Sequence, residues 1–178
     1  MKLAGCDLVR RGLALLLLLP SVYACADAEP EEPPPRLSIE TRRALSAPDR
    51  VELLVLGERL ETPSPDGFDG REVLAVFDVP ASHHAGIAHA LHDAVARASL
   101  IALCYAPHHG LRIHGGARPV ELSICFHCAQ LHELHVDGPY SAIAGGRLQT
   151  LLDDLIRRHT DYRFDEGQGP FGGWVPDR

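Results

Sequence analysis

The chain holds 178 residues (19.4 kDa), 46% of them apolar and 23% charged, with a formal net charge of −7 and a pI near 5.8. That is room for one ordinary domain with a leader and a tail, and the composition excludes wholesale disorder. The acidic balance argues against a nucleic-acid binder, and no P-loop, dinucleotide-binding, Gly-x-Ser-x-Gly or His-Glu-x-x-His motif is present.

Residues 1–24 read as a signal peptide. Lys2, Arg10 and Arg11 form a basic start. Leu13 to Pro20 is an apolar stretch too short to stay in a bilayer as a spanning helix, and polar sequence follows at once. Val22-Tyr23-Ala24-Cys25 resembles a bacterial lipobox, which would make Cys25 the lipidated first residue of the mature protein. The competing reading is plain small-residue cleavage at Ala24-Cys25-Ala26 or Ala26-Asp27-Ala28. The expectation is therefore a lipoprotein of the bacterial cell envelope, facing the periplasm or the cell surface and bound to the membrane through its lipid. Without lipid on Cys25 it would be secreted. Removal of residues 1–24 takes three basic residues and one acid from 17 and 24, leaving a net charge of −9. Such a chain suits neither nucleic acid nor anionic headgroups.

Residues 25–50 form the anchor cysteine and a linker. Its Ala26 to Arg36 segment, rich in acid and proline, predicts an extended spacer. Leu37 to Asp49 fits either a short helix or an extended lead-in. A single domain is expected over residues 51–159. Val51 to Leu60 and Glu72 to Val79 predict two antiparallel strands, because β-branched and apolar residues dominate both and Thr62 to Arg71 has turn composition. Ser82 can cap a helix running to about Ser99, with Ile87, Ala88, Leu91, Ala94, Val95 and Ala98 on one stripe. Leu100 to Tyr105 reads as a buried strand. Leu111 to His114 and Pro119 to Phe126 predict a hairpin turning at Gly115-Gly116, and Leu131 to Val136 another strand. A last helix is expected over Ser141 to His159, its start delayed by Gly145-Gly146, with Leu148, Leu151, Leu152, Leu155 and Ile156 on one side. Residues 160–178 read as a Gly-rich tail lying on the domain. The fold class that follows is α+β: a mostly antiparallel sheet of about five strands with two helices packed on one face.

Chemistry concentrates in cysteine and histidine. Cys6 leaves with the leader and Cys25 goes to lipid, so Cys104, Cys125 and Cys128 remain, an odd number in an oxidising compartment. On one extended strand Cys125 and Cys128 would lie about 10 Å apart at ~3.3 Å per residue. A disulfide needs less than about 7 Å. They can pair with each other only if the strand breaks into a turn; otherwise Cys104 pairs across to one of them. Ten of the 11 histidines fall between His83 and His135. His89 and Asp93 lie opposite the apolar stripe and should be solvated, and His132 and His135 would point to opposite faces of a strand.

Cys104, His109, Cys125 and Cys128 are the candidate metal ligands, since one thiolate, one imidazole and a Cys-x-x-Cys suit tetrahedral zinc or copper(I). A structural disulfide with one buried thiol is the plainer outcome. A redox pair at Cys125 and Cys128 is the third, lacking a helix N-terminus to favour thiolate. Cys104 as nucleophile with His109 as base lacks an assignable orienting group. Covalent c-type haem is excluded because Ala129 stands where Cys-x-x-Cys-His needs histidine. Whether the protein is an enzyme stays open on these residues.

Phe68-Asp69-Gly70, Cys104-Tyr105-Ala106-Pro107-His108-His109-Gly110-Leu111-Arg112 and Ile124-Cys125-Phe126-His127-Cys128 together resemble a family of small exported bacterial proteins and lipoproteins. Its pattern is Cys-x-x-Pro-[Arg/His]-His-Gly followed by Ile-Cys-Phe-x-Cys. The resemblance covers about residues 67 to 155. It brings no established activity, and implies only that Cys104, His109, Gly110, Cys125 and Cys128 form the shared site. The functional expectation is a non-catalytic binding or structural role with a Cys/His site. The alternatives are a periplasmic thiol–disulfide redox protein or a zinc- or copper-binding lipoprotein.

Overall fold

The computed structural model describes residues 37–98, 104–135, 141–168 and 172–177. The leader, Cys25, the linker up to Arg36 and most of the expected strand at Leu100 to Tyr105 lie outside these residues. Among them no helix is long and apolar enough to cross a membrane.

Alternation of apolar and polar residues builds the sheet. Strands β1 (Arg50–Arg59), β2 (Arg71–Asp78), β3 (His109–His114), β4 (Val120–Cys125), β5 (Gln130–Leu134) and β6 (Ser141–Ala142) pair in the order β2-β1-β3-β4-β5-β6. Every pairing is antiparallel. The register places Phe77, Leu53, Leu111 and Leu122 in one row across four strands. The next row, on the opposite face, is Asp78, Glu52, Arg112 and Glu121. One face is thus apolar and the other carries ion pairs.

Three helices cover the apolar face: α1 (Ile39–Ser46), α2 (Ala81–Ala96) and α3 (Arg147–His159). Their buried residues join those of the sheet in one core, including Leu45, Ile87, Leu91, Leu148, Leu152 and Ile156. Each fully buried Leu or Ile contributes about 1.5–3 kcal/mol. Residues 37–49 resolve to helix because Ser38 Oγ accepts the Thr41 N–H at 3.0 Å and caps α1. Glu133 on β5 then accepts the Ser38 N–H at 2.9 Å and the Thr41 hydroxyl, tying α1 to the sheet.

The α+β class with an antiparallel sheet and helices on one face is found; among the described residues the sheet has six strands and the helices number three, rather than five and two. Four details differ from the sequence reading. Helix α2 starts after Pro80 with no side-chain cap, so Ser82 lies in its first turn, and it ends at Ala96. Cys104 and Tyr105 are in coil rather than strand. Ser141–Ala142 is an edge strand rather than helix, while α3 starts after Gly146, the delay expected of Gly145-Gly146; the Gly146 φ of 57° suits glycine. The tail is no loose coating: β7 (Tyr162–Asp165) and β8 (Gly173–Pro176) form a hairpin. That hairpin seats Trp174 in the core at 8% exposure. Leu45 of α1 and Trp174 of β8 thus share one core with the sheet.

On the other face, Leu54, Leu56 and Phe68 make a second, smaller apolar cluster. Phe68 arrives on the β1–β2 loop and packs against Gly110. A Cβ at that position would stand 3.0 Å from Phe68 Cε1 and 3.1 Å from Leu54 Cβ. Further along, Glu52 is buried and bonds Arg50, Arg112 and His114. Burial pushes the Glu52 carboxyl up, but these hydrogen bonds and neighbouring guanidinium charges prevail and hold it below the usual carboxylate range.

Candidate functional site

Two groups of chemistry-bearing side chains gather at the end of the sheet where β1 and β4 finish and β3 and β5 begin. The first is the sulfur cluster. β4 ends at Cys125, and residues 126–129 turn directly into β5. The turn brings the Cα atoms of Cys125 and Cys128 to 5.3 Å, and their sulfurs to disulfide distance. It closes with Ala129 in the left-handed region at φ 52°. Within it the Cys128 N–H donates to Cys125 Sγ at 3.1 Å. Cys104 Sγ lies 2.9 Å from Cys128 Sγ, closer than two unbonded sulfurs rest. Cys125 and Cys128 are fully buried, whereas Cys104 is half-buried. The strand does break where pairing within Cys-x-x-Cys requires it, and Cys104 meets the pair from the coil leading into β3.

That coil is held by a polar cluster which the sequence reading did not pick out. The Tyr105 hydroxyl donates to Asp69 Oδ2 at 2.8 Å, and His132 Nδ1 stands 3.4 Å from Asp69 Oδ1. Asp69 has φ 51°, a conformation that Asp tolerates in the loop between β1 and β2. Ser123, opposite both Gly110 and His132 in the ladder, is fully buried with an unpartnered hydroxyl. The Phe68-Asp69-Gly70 turn therefore does two jobs: it packs on Gly110 and anchors Tyr105 beside the sulfurs.

His109 does not join the cysteines. It pairs with Ile124 and Val55, both in the core under the helices, whereas Cys125 follows Ile124 and takes the opposite face. His109 is 3% exposed, and its ring packs against Phe126 and Trp174, with ring centroids 4.9 and 5.3 Å away. His109 Nε2 bonds Asp153 Oδ1 on α3 at 2.7 Å. A carboxylate only accepts, so Nε2 donates to it; Nδ1 is buried with no hydrogen-bond partner. The orienting carboxylate that the sequence did not reveal for His109 exists, but it sits 44 residues away and on the face away from Cys104. With Cys125 and Cys128 paired, no set of three or more His, Cys, Asp or Glu side chains among the described residues is placed to hold a metal ion. Of the candidate ligands, Cys104, Cys125 and Cys128 meet, and His109 stands apart.

The second group lines a cleft of about 440 Å³ between the sheet end and the C-terminal hairpin, walled by His108, His109, Phe126, His127, Phe164 and Glu166. His108 is held by its backbone: its carbonyl accepts the Trp174 indole N–H at 2.8 Å and its N–H donates to the Ile124 carbonyl at 3.2 Å. Burial, then the neighbouring His109 and Arg71, lowers its imidazole to about 4. It is therefore neutral at ordinary pH. On the exposed face of α2, His89 pairs with Asp93 at 3.5 Å.

Comparison of the chain with known protein families, curated proteins and solved structures finds no match.

Proposed function

We propose that this is an exported, lipid-tethered domain of the bacterial cell envelope whose three sulfurs form a thiol–disulfide exchange centre. The observation that carries the reading is the approach of Cys104 Sγ to within 2.9 Å of Cys128 Sγ, while Cys125 and Cys128 lie at disulfide distance. The Cys104 thiol loses its proton and the thiolate attacks Cys128 Sγ. The Cys104–Cys128 bond forms as the Cys125–Cys128 bond breaks, and the electron pair leaves on Cys125, which takes up one proton. Nothing is oxidised or reduced overall. The Cys128 N–H already points at Cys125 Sγ and stabilises the leaving thiolate. Cys104 alone is partly open to solvent, so an external thiol or disulfide reaches the buried pair through it. The lipid tether rests on the leader and on Cys25.

Peptide mapping of the purified mature protein without reductant tests this. Trypsin places Cys104 on the peptide 98–112, and Cys125 with Cys128 on 113–147. Exchange predicts one titratable thiol per chain, with part of the protein carrying a bond between the two peptides and part carrying it within the second. A bond only within the second peptide, with Cys104 fully alkylated at all times, overturns the reading in favour of a static structural disulfide. Three titratable thiols with stoichiometric zinc or copper overturn it in favour of a metal centre.

A further inference from the structure

The turn that carries Asp69 is rigid by construction. Phe68 and Arg71 exchange backbone hydrogen bonds of 2.9 and 3.0 Å across Asp69 and Gly70, whose φ values are 51° and 71°. Two positive φ values inside a two-residue loop mark a type I′ turn, and Asp-Gly is a favoured pair for it. At one end of the turn Phe68 packs against Gly110, and the Arg112 guanidinium lies 5.7 Å from its ring centroid. At the other end the Arg71 guanidinium donates to the Gly57 carbonyl at 2.7 Å. Asp69 is thus a carboxylate on a fixed post.

The post reaches both flanks of the sulfur cluster. Tyr105, the residue after Cys104, donates its hydroxyl to Asp69 Oδ2 at 2.8 Å. His132, on the strand that follows Cys128, places Nδ1 3.4 Å from Asp69 Oδ1. The Tyr105 hydroxyl also lies 3.4 Å from the Ser123 carbonyl oxygen on β4. The shorter bond, to a carboxylate, is the stronger of the two. Cys104 lies in coil, so its place over Cys128 depends on what holds that coil. A nucleophile reacts efficiently only from a fixed near-attack position.

We propose that Asp69 is a positioning residue for the sulfur exchange: through the Tyr105 hydroxyl it holds Cys104 Sγ at Cys128 Sγ, and so sets how the chain divides between the Cys104–Cys128 and Cys125–Cys128 bonds. This role rests on the exchange reading above. While the Cys125–Cys128 bond is closed, no covalent link holds Cys104 at the cluster, and loss of the Tyr105 bond gives its coil freedom. While the Cys104–Cys128 bond is closed, sulfur itself holds the coil. Removing the hydrogen bond therefore favours the Cys125–Cys128 isomer.

Tyr105→Phe keeps the ring and its edge-on contact with His132, 6.2 Å between centroids, and removes only the hydroxyl. Asp69→Asn keeps a residue that tolerates the left-handed turn and removes the carboxylate. The mature wild-type and variant proteins are equilibrated with a trace of free thiol, quenched in acid and mapped for the bond between peptides 98–112 and 113–147 against the bond within 113–147. That ratio should fall about tenfold in Tyr105→Phe and about threefold in Asp69→Asn. Adding Asp69→Asn to Tyr105→Phe should lower it no further, because both act through one hydrogen bond. A general loss of stability would move the urea midpoint and leave the ratio where it was. A wild-type ratio in both single variants overturns the positioning role and leaves the exchange reading intact, as does a further fall in the double variant. Wild-type protein carrying only the bond within 113–147 overturns the exchange reading, and the positioning role falls with it.

Discussion

Replacing His108 with Phe should change how the fold responds to acid. His108 is 8% exposed, its ring edge-on to Phe164 with centroids 5.2 Å apart, and its imidazole is lowered from 6.5 to about 4. The unfolded chain therefore binds the His108 proton more readily than the folded one. Its contribution to stability is intact above about pH 6.5, declines as pH falls towards 4, and levels off below that. Each tenfold change in proton affinity is worth about 1.36 kcal/mol, so the gap sets a penalty of at most about 3 kcal/mol by pH 4. Phe keeps the ring packing and leaves the Trp174 bond intact, because Trp174 donates to the His108 carbonyl. It removes the titration and the ring's hydrogen bond to the Gly172 carbonyl, the latter costing about 1 kcal/mol at neutral pH. Urea unfolding of both proteins at steps from pH 7.5 to 4 measures the difference. The wild-type advantage at neutral pH should shrink and reverse as pH falls. Parallel stability curves across that range would refute the assignment of a neutral, desolvated His108.

Two smaller changes test the local geometry. Gly110→Ala should destabilise by about 1–3 kcal/mol, because the new methyl presses on Phe68 and Leu54; Phe68→Leu in the same chain should recover part of the loss, read from urea midpoints. Ala129→Gly should stabilise by about 0.5–1 kcal/mol, since φ 52° suits glycine better than alanine, and a lower midpoint would count against the left-handed turn after Cys128.

The strands and helices were legible where a periodic pattern ran long enough to decide. Ile87, Leu91, Ala94 and Val95 mark α2, and the alternation in Val51 to Leu60 marks β1. Where pattern was short, neighbours decided: Ser141–Ala142 is a strand only because β5 offers an edge to pair with. The tail misled because its glycines suggest slack, yet they let the hairpin turn and carry Trp174 inward. Sulfur proximity was readable as a possibility, since Cys-x-x-Cys at a strand end either continues or turns. The split between His109 and the cysteines was also latent in the sequence. In the ladder His109 stands opposite Ile124, one residue before Cys125, and alternation puts neighbours along a strand on opposite faces. Asp153 carried no such signal, because nothing local on an amphipathic helix distinguishes a carboxylate that will meet a histidine from one that stays in water.

The bond between Cys125 and Cys128 encloses a very short ring of backbone, the turn joining β4 to β5. Chain-entropy arithmetic for so small a loop yields only about 2 kcal/mol, against about 3 for fifteen residues. Backbone pairing from Glu121–Leu134 to Cys125–Gln130 joins the same two strands alongside it. A link of so short a span adds little to the stability of the corner it closes, which suits the exchange role proposed for it.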